Sequence, residues 1–116
     1  MASLSIAFPI QPENFDRARR WGQQKMGPRY GDLTESNRHV GLIRESWHLQ
    51  QLPNGGAVVI LSCEGPDLAE TFRAYAAADG PYERWERKEI EGFTGVDLSQ
   101  PLTGPSPETL VDWHQP

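Results

Sequence analysis

The sequence predicts an α+β protein in which one antiparallel sheet is covered on one face by helices. The strongest observation is a β-hairpin signal over residues 41–65, where an alternating stretch (42–51) and a nearly continuous apolar run (57–63) flank Pro53-Asn54-Gly55-Gly56. Asn and Gly tolerate the positive φ that tight hairpin turns need. The second observation is the element order: strand, helix, short helix, strand, strand, helix, helix and a Pro-rich arm. This order suggests an open antiparallel sheet with helices on one face.

The N-terminal segment predicts an edge strand followed by a helix. Pro9 lacks an N–H and therefore favours an edge position or the end of the strand. Pro12 suits the first turn of a helix, which Gly27-Pro28 ends. One face of the strand is apolar throughout: Leu4, Ile6, Phe8 and Ile10. The apolar stripe predicted for the helix, with Trp21 at its border, is Phe15, Ala18, Gly22 and Met26.

The middle of the chain predicts a loop over residues 29–33 and a short helix from Thr34 as N-cap to Gly41 as C-cap. In the first hairpin strand, alternate residues point to opposite faces of the sheet. One face carries Leu42, Arg44, Ser46, His48 and Gln50. The other carries Ile43, Glu45, Trp47, Leu49 and Gln51. The second hairpin strand is apolar on both faces, which is typical of a central strand.

Two further helices are predicted after the hairpin. Asp67 and Glu70 resemble a capping box at the start of the first helix, and Pro81 begins the second, which runs to Glu91 before Gly92. The buried stripe of the first helix is Leu68, Phe72, Tyr75 and Ala76. The apolar side of the second is Tyr82, Trp85 and Ile90, while Glu83, Arg84, Glu86, Arg87 and Lys88 are expected to face water.

We expect one α+β domain over residues 1–98 and an extended C-terminal arm over residues 99–116. Prolines preclude regular structure over most of the arm, yet it carries more large apolar groups than a disordered tail usually does. It is therefore expected to lie over its own domain or over a partner. The sheet face without helices is expected to be buried against a second copy, which predicts a homodimer whose sheets pack face to face.

Composition excludes several classes of partner. The net charge of −5 and the pI near 5.1 argue against nucleic acid. The single Cys63 excludes an internal disulfide. No apolar run approaches the roughly 20 residues of a membrane span, and the first residues lack the basic and apolar regions of a signal peptide. The expectation is a cytoplasmic protein with no nucleic-acid or membrane partner.

Three short stretches carry a resemblance to a known superfamily: Gly-Leu-Ile-Arg-Glu-Ser-Trp at 41–47, Asp-Gly-Pro-Tyr-Glu-Arg-Trp at 79–85 and Gly-Val-Asp-Leu at 95–98. With them the chain resembles uncharacterised short bacterial proteins of the ferredoxin-like dimeric α/β barrel type, similar in shape to antibiotic-biosynthesis monooxygenases. That superfamily includes cofactor-free oxygenases, isomerases, haem enzymes and proteins without known activity, so the resemblance implies a dimeric barrel but no single reaction. It usually supplies a fourth strand near the C-terminus, where this chain has a helix and a Pro-rich arm.

The predicted catalytic residues are His48, Glu45 and Arg44. Arg44 and His48 share a strand face, where the guanidinium could hold a carboxylate or enolate oxygen and the imidazole could act as a general base. The alternative is a polar face at the solvent or at a dimer rim. Glu45 lies on an otherwise apolar face, where a carboxylate is costly unless paired or used. It is either an ion-paired structural group or an acid/base of raised pKa.

The predicted ligand-binding residues are Trp47, Tyr75, Tyr82, Trp85 and His39. The aromatic members could line a pocket or simply form core. The three histidines lack metal-ligand spacing, so no metal is predicted, with a site assembled in three dimensions from His39 or His48 and an acidic residue as the alternative. No cofactor is predicted either. Cys63 is expected to be a buried small hydrophobe.

The functional hypothesis is a homodimeric α/β barrel that binds a small, partly apolar molecule between sheet and helices, with proton-transfer or cofactor-free oxygenase-type chemistry. The alternative hypothesis is a non-catalytic dimeric structural or interaction module.

Overall fold

The computed structural model describes residues 1–102 and 104–116. Its elements in chain order are β1 (Ala2–Pro9), a 3₁₀ turn (Pro12–Asn14), α1 (Phe15–Met26), α2 (Tyr30–Val40), β2 (Arg44–Gln51), β3 (Ala57–Gly65), α3 (Leu68–Ala77) and α4 (Pro81–Thr94). The predicted α+β class and the predicted order of strands and helices are confirmed.

Within the described residues the sheet has three antiparallel strands in the order β1-β3-β2. β3 is central, and Leu61 lies opposite both Ile6 of β1 and Trp47 of β2. β1 is an edge strand, which is where a strand ending in Pro9 is tolerated because proline cannot donate to the ladder. The predictions of a central third strand and an edge first strand are confirmed.

The turn between β2 and β3 forms as its sequence predicts. The Leu52 N–H donates to the Gly56 carbonyl (2.8 Å), and the Gly55 N–H donates to the Leu52 carbonyl (3.1 Å). Gly55 has φ of 89°, in the left-handed region that glycine occupies without strain. The Asn54 side-chain oxygen accepts from the Gly56 N–H (2.9 Å) and closes the turn. The hairpin therefore fixes the register of the two strands locally.

The inner face of α1 differs from the predicted stripe. Met26 is 69% exposed, whereas Trp21 and Lys25 are buried. Trp21 inserts into the core rather than lying at its border, and Lys25 follows it by four residues on the same side of the helix. Burial of the large Trp21 indole therefore fixes the rotation of α1 about its axis. This rotation places the Lys25 ammonium group in the protein interior.

α2 begins earlier than expected. It starts at Tyr30, so the predicted loop over residues 29–33 is wrong, and Thr34 is not an N-cap. The Thr34 hydroxyl instead donates to the Tyr30 carbonyl one turn back (3.0 Å). Gly41 ends the helix with φ of 79°, as predicted for a glycine C-cap.

The last two helices keep their predicted starts. The Asp67 carboxylate accepts from the Glu70 N–H (3.1 Å) and caps α3. α4 begins at Pro81 but runs past Gly92 to Thr94, with Gly95 as its left-handed C-cap. Glu86 is buried, so the prediction that it faces water is wrong. The inward-facing side of α4 contains Tyr82, Glu86 and Ile90, which follow one another at intervals of four residues.

The core lies between one sheet face and the helices. Trp21 of α1 and Phe93 of α4 meet there, with ring centroids 5.1 Å apart. Its buried members from the sheet are Ile6, Phe8, Ala57, Val59, Leu61 and Cys63. The opposite sheet face, called the outer face below, is exposed or half-buried and carries Ser3, Ser5, Ala7 and Pro9, Arg44, Ser46, His48 and Gln50, and Val58, Ile60, Ser62 and Glu64.

The first residues after α4 pack against the domain, and the side chains near the C-terminus are exposed. Val96 and Leu98 are half-buried against the core. Further along, residues 107–112 lie beside residues 3–5 of β1, while the Leu110 and Trp113 side chains are largely exposed. None of the helices in the described ranges is long and apolar enough to cross a membrane.

Candidate functional site

A cavity of about 660 Å³ lies between the inner sheet face and helices α2, α3 and α4. This volume falls in the range of roughly 300–1,000 Å³ that is typical of small-molecule sites. The walls are largely apolar and include Ile6, Phe8, Leu42, Leu61, Phe72 and Ile90. Residues 98–102, where the arm leaves the domain, form part of the wall.

A buried three-charge cluster adjoins this cavity. The Lys25 ammonium of α1 forms ion pairs with Glu45 of β2 and with Glu86 of α4 (2.5 Å for the second). The three side chains are 5%, 13% and 7% exposed, respectively. Two carboxylates and one ammonium leave the cluster with a formal charge of −1 when all three are ionised. Glu45 and Glu86 line the cavity, so this charge forms its polar end.

Two indole rings enclose the ammonium of Lys25. Its nitrogen lies 4.4 Å from the ring centroid of Trp21 and 5.9 Å from that of Trp47. The two indoles meet edge to face with centroids 5.1 Å apart. A cation over an aromatic face is attracted by the ring quadrupole, and more strongly where water is excluded. The aromatic residues therefore help to hold Lys25 in position behind the carboxylates.

Glu45 is held by donors from three elements. Besides Lys25, the Trp47 indole N–H donates to Oε2 (2.8 Å), and the Asn37 amide of α2 donates to Oε1 (3.1 Å). Burial by itself raises the pKa of the Glu45 carboxyl, but the Lys25 charge and these hydrogen bonds outweigh it and hold the pKa below its usual range. The paired interpretation of Glu45 fits this environment, and an acid of raised pKa does not.

Burial also opposes the charge on Lys25, yet the neighbouring Glu86 and Glu45 carboxylates raise the pKa of its ammonium. Lys25 and Glu45 thus keep each other charged.

Glu86 accepts from two tyrosines. The Tyr75 hydroxyl of α3 donates to Oε1 (2.7 Å), and the Tyr82 hydroxyl donates to Oε2 (3.0 Å). Burial and the adjacent Glu86 charge raise the pKa of both phenols well above the ordinary range. Both therefore stay protonated and act as hydrogen-bond donors.

Cys63 lies in the cavity wall as a neutral thiol. Burial, together with the nearby Glu45 charge, raises its pKa to about 12. Because the thiolate is the reactive form, this cysteine is a poor nucleophile at neutral pH.

The structure brings together only part of the predicted site. Glu45, Trp47 and Tyr75 line the cavity, and Tyr82 supports Glu86 from behind it. Trp85 is half-buried and packs against Tyr82, with centroids 5.7 Å apart, beneath the Arg29 guanidinium.

Arg44, His48 and His39 are exposed and lie away from the cavity wall. Arg44 and His48 stand on the outer face of the sheet, opposite Glu45. Alternation along β2 accounts for this separation, since residues one apart on a strand point to opposite faces.

Lys25, Glu86 and Asn37 belong to the site and were not predicted. A usable signal was present for two of them. Lys25 follows Trp21 by four residues, and Glu86 stands four residues from both Tyr82 and Ile90, so each charge interrupts an apolar stripe at helical spacing. An unmatched carboxylate on the apolar face of β2 calls for such a buried partner.

Comparison with known proteins does not place the chain in a family. No protein-family model, curated protein or solved structure matches it. The resemblance to dimeric α/β barrels therefore stays a prediction, and the functional argument depends on the cavity and its charged end.

Proposed function

We propose that this protein binds a small, largely apolar molecule in the cavity between sheet and helices, with Glu45 and Glu86 at the ligand's polar end. The observation that carries the proposal is the combination of a 660 Å³ apolar cavity with two buried carboxylates in its wall. An apolar pocket with a few convergent polar groups is the usual form of a small-molecule site.

The size of the cavity favours binding over a purely structural role. Protein interiors are close-packed, and a void of this size forfeits the contacts that its lining side chains would otherwise make. Lys25 satisfies Glu45 and Glu86 from the side of α1, so the ion pairs do not require the open space next to them. A ligand that occupies the space would restore the missing contacts.

Binding is also better supported than proton transfer. A general base works best when its pKa lies near the working pH. The pKa of Glu45 is held below its usual range, which weakens it as a base. The other predicted proton carrier, His48, stands on the outer face.

The proposal is tested by filling the cavity. Ala76 lines it, whereas Ala69 on the same helix is exposed, so Ala76→Trp and Ala69→Trp form a matched pair. With Nile red as a neutral apolar probe, we expect the wild type and Ala69→Trp to give the same saturable fluorescence. Ala76→Trp should lose at least about tenfold in affinity, because the indole takes up the probe's space. Equal binding by both variants would place the probe elsewhere and contradict the proposal.

We propose in addition that the chain forms a homodimer through the outer face. Val58 and Ile60 of the central strand are half-buried there, beside Ala7 of β1, and form an apolar strip between polar edges. Light scattering at micromolar concentration should give twice the chain mass. Ile60→Glu should reduce it to one chain, while Ala69→Glu, an exposed control, should not. A dimer whose cavity takes up no probe would favour the alternative hypothesis of a structural module.

A further inference from the structure

We infer that the ligand carries a cationic ammonium group, which donates hydrogen bonds to Glu45 and Glu86 while its alkyl or aryl part fills the apolar cavity. This inference rests on the proposed function and adds the chemical class of the ligand. It follows from the charge of the cavity's end, from the accepting atoms left there, and from the position of Lys25.

The charge at the cavity's end is negative on the side that a ligand meets. Glu45 and Glu86 line the cavity, whereas Lys25 is absent from its wall and lies behind them, next to the Trp21 ring. In the part of the chain that the structure describes, the wall contains one cationic side chain, that of Arg73, which is 72% exposed and forms an ion pair with Glu70. A carboxylate ligand at the buried end would therefore meet two like charges before it met Lys25.

Both carboxylates keep acceptor capacity for a ligand. Among the described residues, Oε1 of Glu45 accepts from Asn37 and Oε1 of Glu86 accepts from Tyr75, one donor each. A carboxylate oxygen has two lone-pair sites, so each Oε1 can accept a second hydrogen bond. The remaining donors to the two carboxylates are neutral and leave the charge of the cluster unchanged. Lys25 is already counted in its net charge of −1.

The two carboxylates lie close together at this end of the cavity. The Oε2 atoms of Glu45 and Glu86 form ion pairs with the same Lys25 nitrogen, so a ligand cation that approaches one carboxylate also lies in the field of the other. An ammonium group offers several N–H donors and a compensating positive charge, whereas a hydroxyl group offers one donor and no charge. Charge-assisted hydrogen bonds in a water-poor site are roughly twice as strong as neutral ones. We therefore expect the cavity to bind amines more tightly than alcohols of the same shape.

A chain-matched series tests this class assignment on the unaltered protein. Octylamine, 1-octanol and octanoate share one apolar chain and differ in the terminal group. Each is titrated at pH 7 against the protein loaded with Nile red, and its dissociation constant is taken from probe displacement. We expect octylamine to bind at least about tenfold more tightly than 1-octanol, and octanoate to bind most weakly.

The outcomes separate this inference from the proposed function. Equal affinity for the three compounds, or tighter binding of octanoate, would overturn the cationic assignment and leave the cavity as a binding site for apolar molecules. Failure of all three to displace cavity-bound probe would overturn the inference and leave the proposed function standing. The proposed function itself falls if Ala76→Trp binds the probe as tightly as Ala69→Trp does.

Two further measurements locate the effect. Octyltrimethylammonium keeps the charge but has no N–H, so it should bind several-fold more weakly than octylamine; equal binding would remove the hydrogen bonds to Glu45 and Glu86 from the inference. In Glu86→Gln the preference for octylamine over 1-octanol should fall by at least about fivefold, since one of the two cavity charges is gone. An unchanged preference in folded Glu86→Gln would place the amine elsewhere.

Discussion

The two faces of β2 show how one strand places neighbouring charges in different environments. Arg44 points to the outer face with 72% of its side chain exposed, whereas Glu45 points inward and is 13% exposed. Arg44 approaches Glu64 of β3 only loosely, at 3.9 Å. Glu45 is bound by Lys25, Asn37 and Trp47. Water solvates the first charge, while the protein has to supply every partner of the second.

The difference shows where charged residues of this fold determine structure and where they do not. An exposed ion pair contributes about 0–1 kcal/mol, because water competes for both charges and the side chains lose entropy. Removing one partner of a buried pair leaves a charge without solvent or counterion, which is far more destabilising. The buried charges of the inner face are therefore sensitive to substitution, and exposed charges such as Arg44 on the outer face tolerate it.

The largest expected effect is the loss of Glu45. Glu45→Ala leaves the Lys25 ammonium paired with Glu86 but removes the acceptor of three donors, on Lys25, Asn37 and Trp47. We expect the free energy of unfolding to fall by about 3–5 kcal/mol, because each buried donor left without an acceptor costs roughly 1–3 kcal/mol. Arg44→Ala, the neighbouring control, should change it by less than about 0.5 kcal/mol. Urea denaturation followed by tryptophan fluorescence measures both. Similar values for the two variants would contradict the contrast between the faces.

The second prediction concerns pH. Because the folded pKa of Glu45 lies below its ordinary value of 4.5, its contribution to stability is present above pH 4.5 and is lost as the pH falls through the lower folded value. The pKa of Lys25 is raised above 10.5, so its contribution is present below pH 10.5 and is lost as the pH rises through the folded value.

Urea unfolding at a series of pH values should therefore show stability falling at both extremes. Glu45→Gln should flatten the acid limb, and Arg44→Ala should leave the profile of the wild type unchanged. An acid limb that is equally steep in Glu45→Gln would assign the loss of stability to other carboxylates.

A smaller effect is expected from the tyrosines that support Glu86. Tyr75→Phe removes the donor to Oε1 and leaves that acceptor without it, so we expect a loss of about 1–2 kcal/mol. Tyr30→Phe is the control, because Tyr30 is 52% exposed. The midpoint of thermal unfolding compares the two, and a shift of similar size in both variants would mean that the Tyr75 hydroxyl contributes little.

The smallest effect is expected for ligand binding after changes on the outer face. Arg44→Ala and His48→Ala should bind Nile red within about twofold of the wild type, a difference well under 1 kcal/mol, because both side chains lie across the sheet from the cavity. A larger loss in either variant, with stability unchanged, would return that residue to the site.

Features set by short-range chemistry could be predicted from the sequence. The Asn54-Gly55 turn, the Asp67 cap and the glycine cap at Gly41 each depend on a few neighbouring residues, and all three form as expected. The position of Glu45 on an apolar strand face could also be predicted, because it depends only on alternation along β2. Its partners Lys25 and Asn37 could not, because they lie on helices from other parts of the chain.

The rotation of α1 and α4 does not follow from the general rule that charged residues face water. Lys25 and Glu86 depart from this rule because each meets an opposite charge in the interior. Arg44 and His48 illustrate a second limit. Alternation along a strand shows which side chains share a face, but the position of the helices decides which face encloses a cavity.

The origin of the three charges in the chain has a consequence for how the protein folds. Positions 25, 45 and 86 belong to a helix, a strand and a later helix, so the cluster is complete only when both halves of the chain have packed together. In an intermediate that had docked only the N-terminal half, Lys25 and Glu45 would lack the second carboxylate and its tyrosines. We expect the rate-limiting step to keep this cluster hydrated, with the final expulsion of water joining both halves of the chain in one cooperative event.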